Sequence, residues 1–260
     1  VMDILKINGL TKRFGSQEVL KDVSLTVPEH SIYGFIGQNG AGKTTTMKLI
    51  LGLLKKDGGE ITVCGEEAVY GQTGTNRYIG YLPDVPEFYG YMNPKEYLKL
   101  CGQITGMDKD IIKNRSEEIL DLVGLKSAER KRIGGFSRGM KQRLGIAQAL
   151  LNEPRLLICD EPTSALDPVG RKEILDILKA VKDKTTVLFS THILTDVERI
   201  CDQIAILNNG RIAVNGMLDE IKAKHGTNCL QVEFGTEEER QRFEQIYREK
   251  GSGDVRQNDE

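Results

Sequence analysis

Hydrophobic and polar positions along the chain follow two periods, and their order predicts an alternating α/β domain. Residues 4–10 and 18–27 alternate loosely, as half-buried strands do, and Pro28 stops the second run. Together they predict a small N-terminal antiparallel β subdomain. Residues 31–36 form a short apolar run that ends in a glycine cluster. Residues 43–54 then place Met47, Ile50, Leu51 and Leu54 on one helical face. Residues 95–104 and 110–123 also read as helices, and a helix over 138–152 is closed by Pro154. A mostly helical subdomain is therefore expected as an insertion over about 85–150. A strand at 155–159, a helix at 168–182, a strand at 185–190, a helix at 193–200 and a strand at 202–207 follow. This alternation implies a mainly parallel sheet covered by helices. Past residue 225 the pattern weakens to a possible strand at 228–234, a charged helix at 236–249 and a flexible tail. The expected division is a domain over 1–225 and a small appendage over 226–260.

Composition narrows the class. A chain of 260 residues can bury a core without disulfide or metal staples. With 36 basic against 38 acidic side chains, the net charge of −2 argues against a dedicated nucleic-acid binder. The longest apolar run, residues 49–54, is broken by Gly52, so no transmembrane helix is expected. The first residues lack a secretory pattern. Cys64, Cys101, Cys159, Cys201 and Cys229 are far apart, with no CxxC pair, and fit reduced thiols. Tyr78, Tyr81, Phe88, Tyr89, Tyr91 and Tyr97 crowd one proline-punctuated stretch. They fit either the core of the helical subdomain or a groove for a partner's helix.

The glycine cluster carries the first chemistry. Gly37-Gln38-Asn39-Gly40-Ala41-Gly42-Lys43-Thr44 matches GxxxxGK[ST] in full, between a predicted strand and a predicted helix. Triphosphate oxygens need several converging backbone N–H groups, and glycines let the chain curl closely enough to supply them. The helix start adds its positive dipole end. Lys43 suits the β- and γ-phosphates, and the Thr44 hydroxyl suits Mg²⁺.

A second signal is Leu156-Leu157-Ile158-Cys159-Asp160-Glu161, an apolar strand ending in two acids. Ligands of α/β folds sit at such strand ends. Asp160 there can hold Mg²⁺, and Glu161 can polarise an attacking water as general base. His192 ends a neighbouring strand and can reach the same edge. Finally, Ser137 is a good N-cap for the helix at 138–152, which gives the chain a second anion-attracting helix start.

In this order the motifs resemble those of the ATP-binding subunits of ABC transporters, over most of residues 3–225. The resemblance implies ATP and Mg²⁺ as cofactors. It assigns Phe14 to adenine stacking and residues 37–44 with Thr45 to Walker A. Ser137, Arg138, Gly139 and Met140 fall in the signature segment, usually LSGGQ, which contacts ATP bound by a second cassette. Residues 156–161 are Walker B, Ser164, Ala165, Leu166 and Asp167 the D-loop, and His192 the switch histidine. Two positions depart from the common pattern. Arg138 and Met140 replace a glycine and a glutamine of the signature, and Asp84 stands at the Q-loop, where an acid could ligate Mg²⁺ or water. Both departures resemble the branch of bacitracin-type drug and antibiotic-peptide exporters. The resemblance further implies an integral-membrane permease, a second copy or a related ATPase subunit as partners, and a cytoplasmic place at the inner face of the cell membrane through the permease. A non-transport ABC ATPase, as in iron–sulfur assembly, and an import ATPase remain open alternatives. A P-loop kinase or GTPase is disfavoured by the Ser137 segment and His192.

Overall fold

A computed structural model describes residues 3–225 and residue 243. The strand, helix and tail expected beyond 225, together with Cys229, lie outside the described residues. The chain divides into two compact units, Val1–Ile221 and Lys222–Glu260, and every candidate site residue lies in the first.

The expected N-terminal β subdomain is present. Strands β1 (Asp3–Phe14) and β2 (Gln17–Pro28) pair antiparallel, and β4 (Gly58–Val63) and β5 (Glu66–Glu67) extend the sheet to the order β2-β1-β4-β5. The second sheet contains β3 (Ile32–Ile36), β6 (Ile79–Leu82), β7 (Leu156–Asp160), β8 (Thr186–Thr191), β9 (Gln203–Asn208) and β10 (Arg211–Met217), in the order β10-β9-β3-β8-β7-β6. All neighbours in it are parallel except β9 and β10. Every residue of β3, β7 and β8 is buried, as continuous apolar runs in a covered parallel sheet must be.

Alternation along these strands feeds two cores. Ile32, Leu157, Cys159, Val187 and Phe189 pack with α2 (Pro94–Ile104), α3 (Lys109–Leu122), α4 (Arg138–Leu150), α5 (Pro168–Val181) and α6 (Leu194–Ile200). Tyr33, Phe35, Leu156, Ile158 and Leu188 face α1 (Lys43–Ile50) and the antiparallel sheet. The last described helix, α7, spans Leu218–His225.

One expectation needs correction. The helix expected to reach residue 54 stops at Ile50, because Gly52 turns left-handed (φ 68°) and Leu53 N closes onto Lys48 O at 2.9 Å. The aromatic stretch beginning at Tyr78 also holds β6, a strand at the edge of the parallel sheet that the hydrophobic pattern did not predict. Gly80 there lies so close beneath α4 that a Cβ would meet Ala149 O.

Candidate functional site: a nucleotide edge on the parallel sheet

Register brings the predicted residues to one edge. Ile36 pairs with Thr191, Asp160 with Ser190, and Leu82 with Cys159. The segments leaving these strands therefore emerge side by side. They are the glycine loop after β3, Glu161 after β7, His192 after β8 and Asp84 after β6.

The glycine loop curls as the motif demands. Gly40 (φ 81°) and Gly42 (φ 111°) occupy the left-handed region that favours glycine. Gly42 is also the N-cap of α1, and a Cβ there would sit 2.8 Å from Leu20 Cδ2. Lys43 is buried, and its Nζ donates to Gly37 O at 2.6 Å and to Gln38 O at 3.3 Å. Its third neighbour is Glu161 Oε1, an ion pair at 3.0 Å. Gln38, Asn39 and Thr44 are exposed at the mouth of the loop, with Ala41 and Thr45 half-buried.

The two acids are held differently. Asp160 is buried and accepts a hydrogen bond from Ser190 Oγ at 2.6 Å on Oδ1. Glu161 adopts a left-handed backbone (φ 47°), a conformation costly for a non-glycine residue and concentrated at functional sites. Its N–H donates to Ser190 O at 3.2 Å and Oγ at 3.1 Å, which holds that turn in place. One carboxylate oxygen faces Lys43; the other lies 2.9 Å from His192 Nδ1. Ser190 thus fixes both acids from across the sheet. In the sequence Ser190 is only the last residue of the strand expected at 185–190; its full burial opposite Asp160 appears in the fold alone.

After Glu161 the chain turns again. Ser164 N donates to Glu161 O at 3.0 Å, Ala165 is left-handed (φ 53°), Leu166 is buried, and Asp167 is the N-cap residue of α5. Asp84 stands at the flank of the edge. Burial pushes its carboxyl above the usual carboxylate range, the Arg138 guanidinium opposes this, and the charges of Asp160 and Glu161 reinforce it. Gln142, fully buried on α4, donates to Asp84 O at 2.8 Å, a brace the sequence reading missed.

Other predicted residues stand apart. Phe14 ends β1 on the antiparallel sheet, half exposed, with Lys12 Nζ 5.2 Å from its ring centre. Ser137 caps α4, accepting from Met140 N at 3.3 Å; Gly139 is half-buried, and a Cβ there would lie 4.0 Å from Leu166 Cδ2. The aromatic cluster divides between the two readings left open. Tyr97 is buried and stacks edge-on against Phe88 at 5.0 Å, whereas Tyr89 and Tyr91 are exposed, 5.8 Å apart. Burial also pushes the thiols of Cys64, Cys101, Cys159 and Cys201 up, and all four are free.

The acid set fits Mg²⁺ shared with a nucleotide. Among the described residues no cluster of three or more His, Cys, Asp or Glu could hold a metal alone. Mg²⁺ bound to nucleotides uses one or two carboxylates and takes its remaining ligands from phosphate and water. Ser190 engages only one oxygen of Asp160, and Asp84 Oδ1 is buried without a hydrogen-bond partner.

Fold and edge together define a P-loop ATPase core. Residues 20–164 match the family model described as ABC transporter. The chain is 46% identical over 227 residues to the uncharacterized ABC transporter ATP-binding protein YxlF of Bacillus subtilis, covering 87% of this chain and 75% of that one. It is 41% identical to the bacitracin transport ATP-binding protein BcrA of Bacillus licheniformis, over 85% of this chain and 72% of that one. A solved structure titled as the ATP binding subunit of an ABC transporter superposes with a TM-score of 0.77 at 33% identity, covering 94% of this chain and 99% of that one. The chain belongs to the ABC transporter ATP-binding family and is an ATP-hydrolysing enzyme. Membership implies the ATP–Mg²⁺ site, the permease partner and the ATPase pairing typical of that family. Among the described residues no helix is long and apolar enough to cross a membrane.

Proposed function

We propose that this chain is the ATPase subunit of an exporter, acting at the cytoplasmic face of the membrane through a separate permease. Two cassettes close head to tail, each ATP lying between one phosphate loop and the facing Ser137–Met140 segment. The observation that carries this is the meeting of Lys43, Asp160, Glu161 and His192 at one sheet edge, beside the exposed start of α4.

The residues divide the work. Backbone N–H groups of residues 37–44 cradle the phosphates, and Lys43 turns from the loop carbonyls and Glu161 toward phosphate oxygen. Asp160, aligned by Ser190, and Thr44 would hold Mg²⁺, with Asp84 as a further acceptor. Mg²⁺, when bound there, would neutralise charge that develops on the phosphates. Glu161, released from Lys43, accepts the proton of the attacking water. His192 steadies that carboxylate through Nδ1. Phe14 offers a ring to the adenine. Loss of the γ-phosphate removes the anion that bridges two positive helix starts, and the clamp opens.

Export is supported by the likeness to bacitracin transport proteins and by the SRGM and Asp84 variants. The permease contact is assigned to a groove of about 490 Å³ lined by Val85, Pro86, Phe88, Gly90, Ile133 and Lys141. Tyr89 and Tyr91 stand exposed next to Phe88 and Gly90, in a position to anchor an incoming helix.

Capture from membranes tests this. Glu161→Gln chain loaded with ATP should bring down an integral-membrane protein encoded beside it, and drug-resistance export should depend on both. Recovery of a soluble assembly complex in its place would favour the non-transport alternative.

A further inference from the structure

The first turn of α4 concentrates positive charge. Arg138 and Lys141 lie there, the turn holds no acid, and the helix dipole adds its positive end. Cations at a helix start are unfavourable unless an anion faces them. The facing anion is Asp84, whose Oδ1 is 3.7 Å from the Arg138 guanidinium. The same carboxylate lies in the field of Asp160 and Glu161, which repel it. Asp84 therefore sits between two competing charge centres, with its backbone braced by Gln142 and its Oδ1 free of hydrogen bonds. Both side chains are nearly half exposed (46% and 47%) and their contact is long and makes no hydrogen bond, which leaves the pair weak and cheap to exchange.

We propose that Asp84 and Arg138 form a releasable latch. In the nucleotide-free chain the pair ties the loop after β6 to the start of α4. Magnesium–ATP at the phosphate loop removes the repulsion from the sheet edge, draws Asp84 toward the metal and leaves Arg138 available to the phosphates of a facing cassette. Filling one nucleotide edge would thereby prepare the anion-binding turn of the same chain for its partner. The release half rests on the ATP-site reading above; the resting pair does not.

Hydrogen–deuterium exchange tests both halves, with Glu161→Gln as the parent so that nucleotide is not consumed. Without nucleotide, Arg138→Gln and Asp84→Asn should each speed exchange across residues 83–90 and 138–142 by roughly two- to fivefold, the size of an exposed pair. The double variant should be no faster than either single one. The swapped pair Asp84→Arg with Arg138→Asp should regain most of the protection. With saturating magnesium–ATP the parent and Arg138→Gln should become equal across residues 83–90, where Asp84 no longer meets residue 138. Additive single effects, or no recovery in the swapped pair, would overturn the latch. A difference across residues 83–90 that persists in magnesium–ATP would overturn its release. A fluorescent ATP analogue titrated in parallel reads the nucleotide site itself. If the parent does not bind it, the ATP-site reading fails and the release with it, while the nucleotide-free cycle still judges the resting pair.

Discussion

The sheet edge and the start of α4 both attract anions, but their charges are matched to different degrees. At the edge, Lys43 is buried among two carbonyls and Glu161, Glu161 also meets His192, and Asp160 is pinned by Ser190. At α4, Arg138 has one loose partner at 3.7 Å, and Ser137 and Arg138 are exposed. Burial makes electrostatic contacts strong and their geometry fixed. Exposure makes them weak and exchangeable. On the proposed function, the first region holds a chemical site in readiness, while the second is half of a site whose other half belongs to another chain.

Four substitutions sharpen this contrast. Glu161→Gln keeps the shape of the turn and removes the proton acceptor, so hydrolysis should fall about 10²–10⁴-fold with ATP still bound. Single-turnover kinetics reads it, and wild-type turnover would remove Glu161 from the base role. Lys43→Ala deletes a charge-assisted contact to phosphate and should weaken ATP binding about a hundredfold by calorimetry. Ser190→Ala leaves both acids in place but unfastens Oδ1 of Asp160 and leaves the Glu161 N–H only the backbone carbonyl of residue 190. Turnover should drop about tenfold, equivalent to about 1.4 kcal/mol, with the Mg²⁺ concentration for half-maximal rate rising. Phe14→Ala should cost about fivefold in affinity for ATP and nothing for inorganic triphosphate, because only a base can stack.

On the exposed side, Tyr89→Ala and Tyr91→Ala should leave the basal ATPase of the isolated chain unchanged. In the assembled transporter they should uncouple hydrolysis from transport. Full transport by both variants would assign the permease contact elsewhere.

Much of this was legible in sequence where function needs neighbouring residues. The glycine loop, the Asp160-Glu161 strand end and the Ser137 cap are short motifs whose chemistry lies within one turn. The parallel sheet was legible because its central strands are buried on both faces. Elements with weaker patterns were not. β6 has four residues, one of them a glycine chosen for close packing under α4, and so carries no alternation of its own. β10 is half-exposed at a sheet edge, and its hairpin was marked only by Asn209-Gly210, both left-handed (φ 49° and 77°). Contacts across the sheet were hidden for another reason. Ser190 meets Asp160 across 30 residues, and Gln142 meets Asp84 across 58, distances over which spacing says nothing. The meeting of Asp84 and Arg138 is of the same kind: two separate oddities in sequence become one contact in the fold.

On the proposed function, ATP joins two copies of this chain at these two unequal regions. Sedimentation of the Glu161→Gln chain with and without magnesium–ATP tests it most directly. The expected result is a species of 29.0 kDa without nucleotide and one of about twice that mass with it, reverting to the smaller species on Ser137→Arg substitution. A chain that binds ATP and still sediments at the smaller mass at every concentration would contradict it.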